Sequence, residues 1–382
     1  MPPIYLDSHA TTRVDPRVLD AMLPFFTEHF GNASSRNHPF GWTAGKAVEH
    51  AREQVGSLIG ARFRDVIFTS GATESNNLAI KGVAARAPHN RRHIVTISTE
   101  HRAVLDACRA LERGGFRVTY LEVDGEGRID LDRLRAAVRA DTLLVSAMSA
   151  NNEIGVLHPL AEIAEIAHAR GALLHCDAAQ SAGLMPLNAK EIGVDLVSLS
   201  AHKMYGAKGI GALYIAKRNP AIDLEALIDG GGHERGYRSG TLNVPAIAGF
   251  GKAAELCRDE AGADAARLRT LRDRLWSALS AVDGIYLNGP LEPRLPNNLN
   301  VRVTDVHGES LLKAIAADVA VSSGAACATA SAEPSHVLRA LGLSDEAARA
   351  SIRFGIGRFT TADEIDAAAT VVIDAVRGLR RC

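Results

Sequence analysis

The sequence predicts an α/β fold, with a mainly parallel sheet in a large domain and a smaller α+β domain beside it. Three observations carry that prediction. From about residue 43 to about residue 245, short apolar runs of strand length alternate with stretches whose apolar residues recur at helical spacing. The short runs are apolar throughout, the pattern of strands covered on both faces by helices. Beyond about residue 245 the rhythm changes to a long helical stretch followed by shorter mixed elements.

In chain order, Val48, Ala51, Val55 and Leu58 recur at helical spacing ahead of the apolar run Val66-Ile67-Phe68-Thr69. Further strands are expected at 94–97, 118–121, 143–147, 172–176, 196–200 and 211–215, with helices around 71–86, 103–114, 131–139 and 159–170. The second part begins with a helix through 266–279. A strand at 297–303, a helix near 310–317 and a short strand near 319–322 follow. In the last helix Ile365, Ala369, Val372, Val376 and Leu379 form one stripe. The expected division is a large domain over 13–258 and a small one from 1–12 with 259–382.

Composition narrows the function classes. The 382 residues carry a formal net charge of −1, with 47% hydrophobic and 23% charged residues, as in ordinary globular proteins. There is no basic footprint for direct nucleic-acid binding. No apolar run approaches the ~18 residues that span a bilayer. The start Met-Pro-Pro-Ile-Tyr-Leu-Asp lacks the features of a signal peptide, so a cytoplasmic location without membrane association is expected. The five cysteines (Cys108, Cys176, Cys257, Cys327, Cys382) are scattered and include no Cys-x-x-Cys pair. That pattern suits reduced thiols and neither a disulfide framework nor a metal site.

In an open parallel sheet, ligands gather beyond the carboxyl ends of the strands. After Thr69 comes Ser70-Gly71-Ala72-Thr73-Glu74 at a helix start. Such a turn can be a plain N-cap, and it can also present backbone N–H groups and a hydroxyl to a phosphate. After the strand ending near Cys176 comes Asp177, a carboxylate able to hold a proton on a ring nitrogen. After Ser200 comes Ala201-His202-Lys203, in a chain with eight lysines against 35 arginines. A lysine sheltered at a strand end suits Schiff-base chemistry. Together, an amine, a carboxylate and a phosphate cup describe a pyridoxal 5′-phosphate site. In the second part, Cys327 sits in Ser323-Gly324-Ala325-Ala326-Cys327-Ala328-Thr329-Ala330-Ser331. A free cysteine ordinarily packs as a small hydrophobe, but these neighbours offer nothing bulky to pack against. A thiolate that attacks a substrate needs such an exposed segment.

These residues carry a resemblance along the whole chain. Tyr5-Leu6-Asp7 with Ala10-Thr11-Thr12, Gly31-Asn32 through Phe40-Gly41, and Thr69–Asn77 come first. Glu100-His101, Asn151-Asn152-Glu153-Ile154-Gly155, Asp177–Gln180, Ser200–Lys203, Arg238-Ser239-Gly240-Thr241, the Cys327 loop and Ile352-Arg353-Phe354 follow in the same order. The chain resembles the cysteine desulfurases of the class V aminotransferase group. That resemblance implies an aspartate aminotransferase-like fold and a pyridoxal-phosphate-dependent homodimer that takes sulfur from L-cysteine, leaves L-alanine and holds a persulfide. It implies Lys203 as the Schiff-base lysine, Asp177 at the pyridinium nitrogen, and Gln180 and Asn152 by the phenolic oxygen. His101 would stack on the ring and assist proton transfer. Ala72, Thr73, Ser200 and His202 would hold the phosphate, with Thr241 from the other subunit. Arg353, with Asn32 and Asn152, would grip the substrate carboxylate, a task suited to a guanidinium fork. Cys327 would take the sulfur, and because a free thiol is only a few per cent ionised at about pH 7, His101 or the substrate amine would assist its deprotonation.

The chain departs from the family at Ala325, where serine is usual, at Ala328 through Ala332, and at His233, where glutamine is common. The extended Cys327 segment resembles the longer-loop branch, which passes persulfide directly to acceptor proteins in iron–sulfur cluster assembly, tRNA thiolation or DNA phosphorothioation. Two other readings keep part of the pattern: an aminotransferase or selenocysteine lyase, and a catalytically silent scaffold for sulfur-transfer partners. The first keeps Lys203 and Asp177, and a transaminase has no use for Cys327.

Overall fold

Strands and helices alternate along the first two thirds of the chain in the computed structural model, which describes residues 2–323 and 333–381. In chain order the strands are β1 (Ile4–Tyr5), β2 (Val66–Thr69), β3 (His93–Ile97), β4 (Arg117–Leu121), β5 (Thr142–Ser146), β6 (Leu173–Asp177), β7 (Leu196–Ser200) and β8 (Gly211–Ile215). Then come β9 (Ile285–Leu287), β10 (Asn298–Val303), β11 (Val319–Ala320), β12 (Ser322–Ser323) and β13 (Ser351–Gly355). Strands β2 to β8 form one seven-stranded sheet in the order β2-β8-β7-β6-β5-β3-β4. β8 runs antiparallel to both neighbours and every other pairing is parallel, so the sheet is mainly parallel as predicted.

Periodicity sets these strands almost to the residue, and the small differences have a cause. β3 and β5 each begin one residue earlier than the apolar pattern suggests, at His93 and Thr142. Both polar residues are buried but satisfied across the ladder. The His93 ring nitrogens lie 2.9 Å from Thr142 Oγ1 and 2.9 Å from Thr119 Oγ1. Paired in this way, they cost the sheet little. The helices Ala72–Ala85, Arg102–Arg113, Leu131–Ala137 and Leu160–His168 separate the strands.

The four-stranded sheet β12-β13-β10-β9 is antiparallel throughout, and β1 pairs in parallel with β11. The N-terminal segment thus joins the C-terminal third, and Leu6 packs in the same core as Leu299, Val301, Phe354 and Val372. The predicted helix at 266–279 is the end of one continuous helix, Val244–Ser280. Its first half packs Ile247, Phe250 and Ala254 into the core of the large sheet, and its second half packs Leu268, Leu275 and Leu279 into that of the small one. Gly249 and Gly251, inside the first half, serve close packing. A Cβ would come 2.5 Å from Met22 Cγ at Gly249 and 2.6 Å from Ala51 Cα at Gly251. The helix Pro39–Leu58 therefore crosses it at close range. None of the described helices is long and apolar enough to cross a membrane.

Candidate active site

A cavity of about 510 Å³ opens at the carboxyl ends of β2, β3, β5, β6 and β7. Because neighbouring parallel strands end at one level, side chains distant in sequence converge there. Nine of the predicted residues line it: Ala72, Thr73, His101, Asn152, Asp177, Gln180, Ser200, His202 and Lys203.

The wall after β2 is the start of the helix Ala72–Ala85. Its N-cap is Gly71, at φ 150°, and no side chain caps it. Uncapped N–H groups at a helix start favour an anion. β8 brings Gly211 against this turn, where a Cβ would lie 2.6 Å from Gly71 Cα, so glycine is required by close approach. Glu74 accepts from Ser70 N at 2.8 Å and from Arg238 Nε at 2.9 Å, which locks the turn and pulls the carboxyl below its ordinary range despite burial. Thr73, Ser200, His202 and Lys208 complete this side.

Asp177, the last residue of β6, is buried at the floor. Its Oδ2 accepts from Asn76 Nδ2 at 2.7 Å and its Oδ1 from Ala179 N at 3.0 Å. Held on both oxygens, the carboxylate is fixed before any ligand arrives. Lys203 ends the single turn Ala201–Lys203 that follows β7, and its Nζ donates to the carbonyls of Ala10, at 2.7 Å, and of His9. His101 is the N-cap of Arg102–Arg113, and its Nδ1 accepts from Ala103 N at 3.1 Å. That bond assigns the proton of the neutral ring to Nε2. Burial lowers the His101 pKa, against the opposing pull of Asp177. Burial, with Lys203 and Lys208, pushes His202 down to about 4.

The N-terminal segment supplies a wall to which the sequence reading gives no role. His9, Ala10 and Thr11 line the cavity, and Thr12 N donates to His202 O at 3.0 Å. His9 Nδ1 lies 3.0 Å from Gln180 Oε1, and Gln180 Nε2 donates to His9 O at 3.0 Å. Burial holds His9 at about 3, so its ring stays neutral. The signal available in sequence was Ala10-Thr11-Thr12, which marks a pattern without showing where it packs. Met148, Ala150 and Lys208 also line the cavity unpredicted.

Three predicted residues lie elsewhere. Arg353, on β13, is buried behind Asn152. Its Nη1 donates to Asn152 O at 3.0 Å and its Nη2 to Asp7 Oδ1 at 3.0 Å, and its Nε has no partner among the described residues. Asn32 accepts from Ser34 N at 2.9 Å in a loop away from the cavity lining. Thr241 is exposed and does not line the cavity either. Cys327, with the rest of the small-residue run 324–332, lies outside the described residues, as does Cys382. Cys108, Cys176 and Cys257 are buried, and burial raises the thiols of Cys108 to about 12 and Cys257 to about 11, so they are inert. Pro334 is by itself a local signal for a helix start, yet the helix begins at His336. Ser335 is its N-cap, its hydroxyl accepting from Val337 N at 3.1 Å and Leu338 N at 3.2 Å. Among the described residues no group of three or more His, Cys, Asp or Glu could hold a metal ion.

The donor set fits pyridoxal 5′-phosphate: an uncapped helix start with hydroxyls for a phosphate, a fixed buried carboxylate for a protonated ring nitrogen, and an amine for an aldehyde. Comparison with known proteins points the same way. The family model described as aminotransferase class-V matches residues 4–368. A relative named cysteine desulfurase IscS, from Anaeromyxobacter sp. (strain Fw109-5), is 59% identical over 379 residues, covering 99% of this chain and 93% of its own. A solved structure called a NifS-like protein superposes with a TM-score of 0.92 at 37% identity, covering 99% of this chain and 100% of its own. Another, described as SspA in complex with cysteine, gives a TM-score of 0.83 at 35% identity over 94% of this chain and 99% of its own.

Proposed function

The chain belongs to the class-V aminotransferase family, among its cysteine desulfurases, and from that premise we propose that it converts L-cysteine to L-alanine while Cys327 takes the sulfur as a persulfide. The observation that carries this reading is the convergence of Lys203, Asp177 and the uncapped helix start on one cavity from three strand ends. SspA, a 35% identical relative, is described with cysteine bound, which supports the substrate.

When bound, pyridoxal 5′-phosphate supplies an aldehyde for amines and an electron sink for the scission of the carbon–sulfur bond. Lys203 would supply the amine that holds its aldehyde and would move protons at the substrate carbon. Asp177 holds the ring-nitrogen proton. Asn76 and Ala179 N restrain that carboxylate, so it does not swing away. Gln180 and Asn152 would hold the phenolic oxygen, and His101 would pack on the ring and assist proton transfer. Ala72 N, Thr73, Ser200 and His202 hold the phosphate. Arg353 binds the substrate carboxylate with Asn32 and Asn152, and its Nε–H, without a partner among the described residues, supports that role. The Cys327 thiolate bonds the substrate sulfur as the carbon–sulfur bond breaks. The carbon side keeps the electron pair and takes a proton, which leaves alanine.

The active species in this reading is a homodimer, with Thr241 reaching the neighbouring cavity. Its support is the apolar surface of Phe26, Phe30, Phe40 and Trp42, of which Phe30 is 65% exposed. The persulfide passes to an acceptor protein, in the cytoplasm, and no nucleic acid is bound directly. The chain divides into a large unit over 13–258 and a small unit of 1–12 with 259–382, joined through the continuous helix.

The test is alanine formation from L-cysteine by Cys327→Ala. A loss of roughly a hundredfold or more, with the cofactor absorbance intact, is expected. Turnover at the wild-type rate would remove the assignment.

A further inference from the structure

Glu153 is a carboxyl at 7% exposure with no basic side chain bonded to it among the described residues, an arrangement that burial alone makes costly. Every polar part of its backbone is nonetheless committed. Its N–H donates to Asn151 Oδ1 at 2.8 Å, and its carbonyl accepts from Asn298 Nδ2 at 3.1 Å and Asn300 Nδ2 at 3.0 Å. Its Oε2 accepts from Ser335 Oγ at 2.5 Å. Ser335 has no spare capacity, because its oxygen already accepts from Val337 N and Leu338 N as a helix cap.

Those bonds extend to both flanks of the run that contains Cys327. On the near flank, Ser322 Oγ donates to Asp7 Oδ1 at 2.8 Å, and that same oxygen accepts from Arg353 Nη2 at 3.0 Å. Ser322 is also the ladder partner of Arg353. Arg353 Nη1 then reaches the carbonyl of Asn152, next to Glu153. On the far flank, Glu153 takes Ser335, while His336 Nε2 lies 2.9 Å from Glu100 O, next to His101. A continuous path runs from Ser322 through Asp7, Arg353 and Asn152–Glu153 to Ser335.

We propose that Glu153 is a positioning residue for sulfur transfer, fixing through Ser335 the distance between the flanks of the Cys327 run and Arg353. Glu153 touches no reacting atom. It sets where the chain leaves and re-enters the site wall, and a displacement of about 1 Å in such a position can cost two orders of magnitude in rate. The inference rests on the proposed role of Cys327 and goes beyond it, because it assigns the wall residue on which the alignment of that thiol depends. Substrate recognition and thiol placement then share one set of hydrogen bonds, a reason to keep a carboxyl buried where an apolar side chain would pack more cheaply.

The experiment uses the full-length holoenzyme and two readouts: the change in cofactor absorbance on mixing with L-cysteine, which reports binding, and persulfide formation on Cys327 by mass spectrometry. Ser335→Ala and Glu153→Ala are expected to slow persulfide formation at least tenfold while the half-saturating cysteine concentration for the absorbance change stays within about twofold. Ser335→Gly separates positioning from capping, since glycine is tolerated at a helix N-cap at little cost but has no hydroxyl to donate to Glu153. It is expected to be as slow as Ser335→Ala. Glu153→Gln, whose amide oxygen still accepts from Ser335, is expected to keep most of the rate. Should Glu153→Ala fail to fold, the two Ser335 variants decide the matter alone. Wild-type persulfide rates in Ser335→Gly would overturn the inference, leaving Ser335 a cap and nothing more. Failure of the Cys327 assignment looks different, because the wild-type enzyme would then carry no persulfide at Cys327.

Discussion

The floor of the cavity and the wall behind it are assembled by different means. Each floor group follows its own strand, Thr73 after β2, His101 after β3, Asp177 at the end of β6 and Lys203 after β7. The wall joins Asp7, Asn152, Ser322, Ser335 and Arg353, which are scattered over nearly the whole chain. Floor groups are held largely by separate contacts, so a lesion there stays local. In the wall Arg353 and Ser322 share Asp7 Oδ1, so a lesion at Arg353 also reaches the flank of the Cys327 run.

The largest expected effect tests the floor. Lys203→Ala removes the amine that holds the aldehyde. The absorbance band near about 420 nm is expected to vanish, and alanine formation to fall by roughly 10³-fold or more. A variant that kept the band would move the Schiff base to another lysine. Next, Arg353→Lys tests the wall. A lysine cannot span Asn152 O and Asp7 as the planar guanidinium does. KM for cysteine is expected to rise about 10- to 100-fold, with persulfide formation at saturation also reduced. A change in KM alone would show that wall and thiol are independent.

The two regions also diverge in pH dependence. Burial raises Glu153 from 4.5 to about 7, so between those values the native state binds more protons than the unfolded chain, and stability falls as pH rises. Glu153→Gln removes that penalty. Its melting temperature at pH 8 should exceed that of the wild type, by the equivalent of up to about 3 kcal/mol, and the gap should close toward pH 4.5. A gap that does not vary with pH would mean that Glu153 is ionised without penalty. On the floor and along its sheet the sign reverses. Burial lowers His9 to about 3, and His158, His175 and His202 to about 4. Here the unfolded chain binds more protons below pH 6.5, so stability present above 6.5 drains away as pH falls toward 4. The smallest effect expected is on His175, whose ring nitrogens lie 2.8 Å from Ser146 Oγ and 3.0 Å from Ser198 Oγ. His175→Gln should flatten the loss of melting temperature between pH 7 and 5 without altering cysteine binding. An unchanged slope would place the acid sensitivity in the other histidines.

Much of the floor was legible because a parallel sheet writes its binding edge into the sequence. An apolar run ends, and the next polar residues face the ligand. Asp177 and Lys203 could be singled out in that way. His9 could not, since nothing local shows that residues 9–12 pack against 202–205, where Thr12 N meets His202 O. Ser335 was similarly hidden, because Pro334 is the stronger local signal for a helix start and only the hydroxyl bonds of Ser335 move the start to His336.

The sequence by itself determined the order of strands and helices, the mainly parallel sheet, the strand-end groups and the scatter of the cysteines along the chain. All of these depend on periodicity and composition over a few residues. Only the tertiary structure decided that the helix expected at 266–279 begins already at Val244, that the N-terminal segment walls the cavity, and that Arg353 stands behind Asn152 with Asp7 as its partner. Those outcomes turn on side chains that meet from distant parts of the chain, where the balance of desolvation against hydrogen bonding is struck after folding has brought them together.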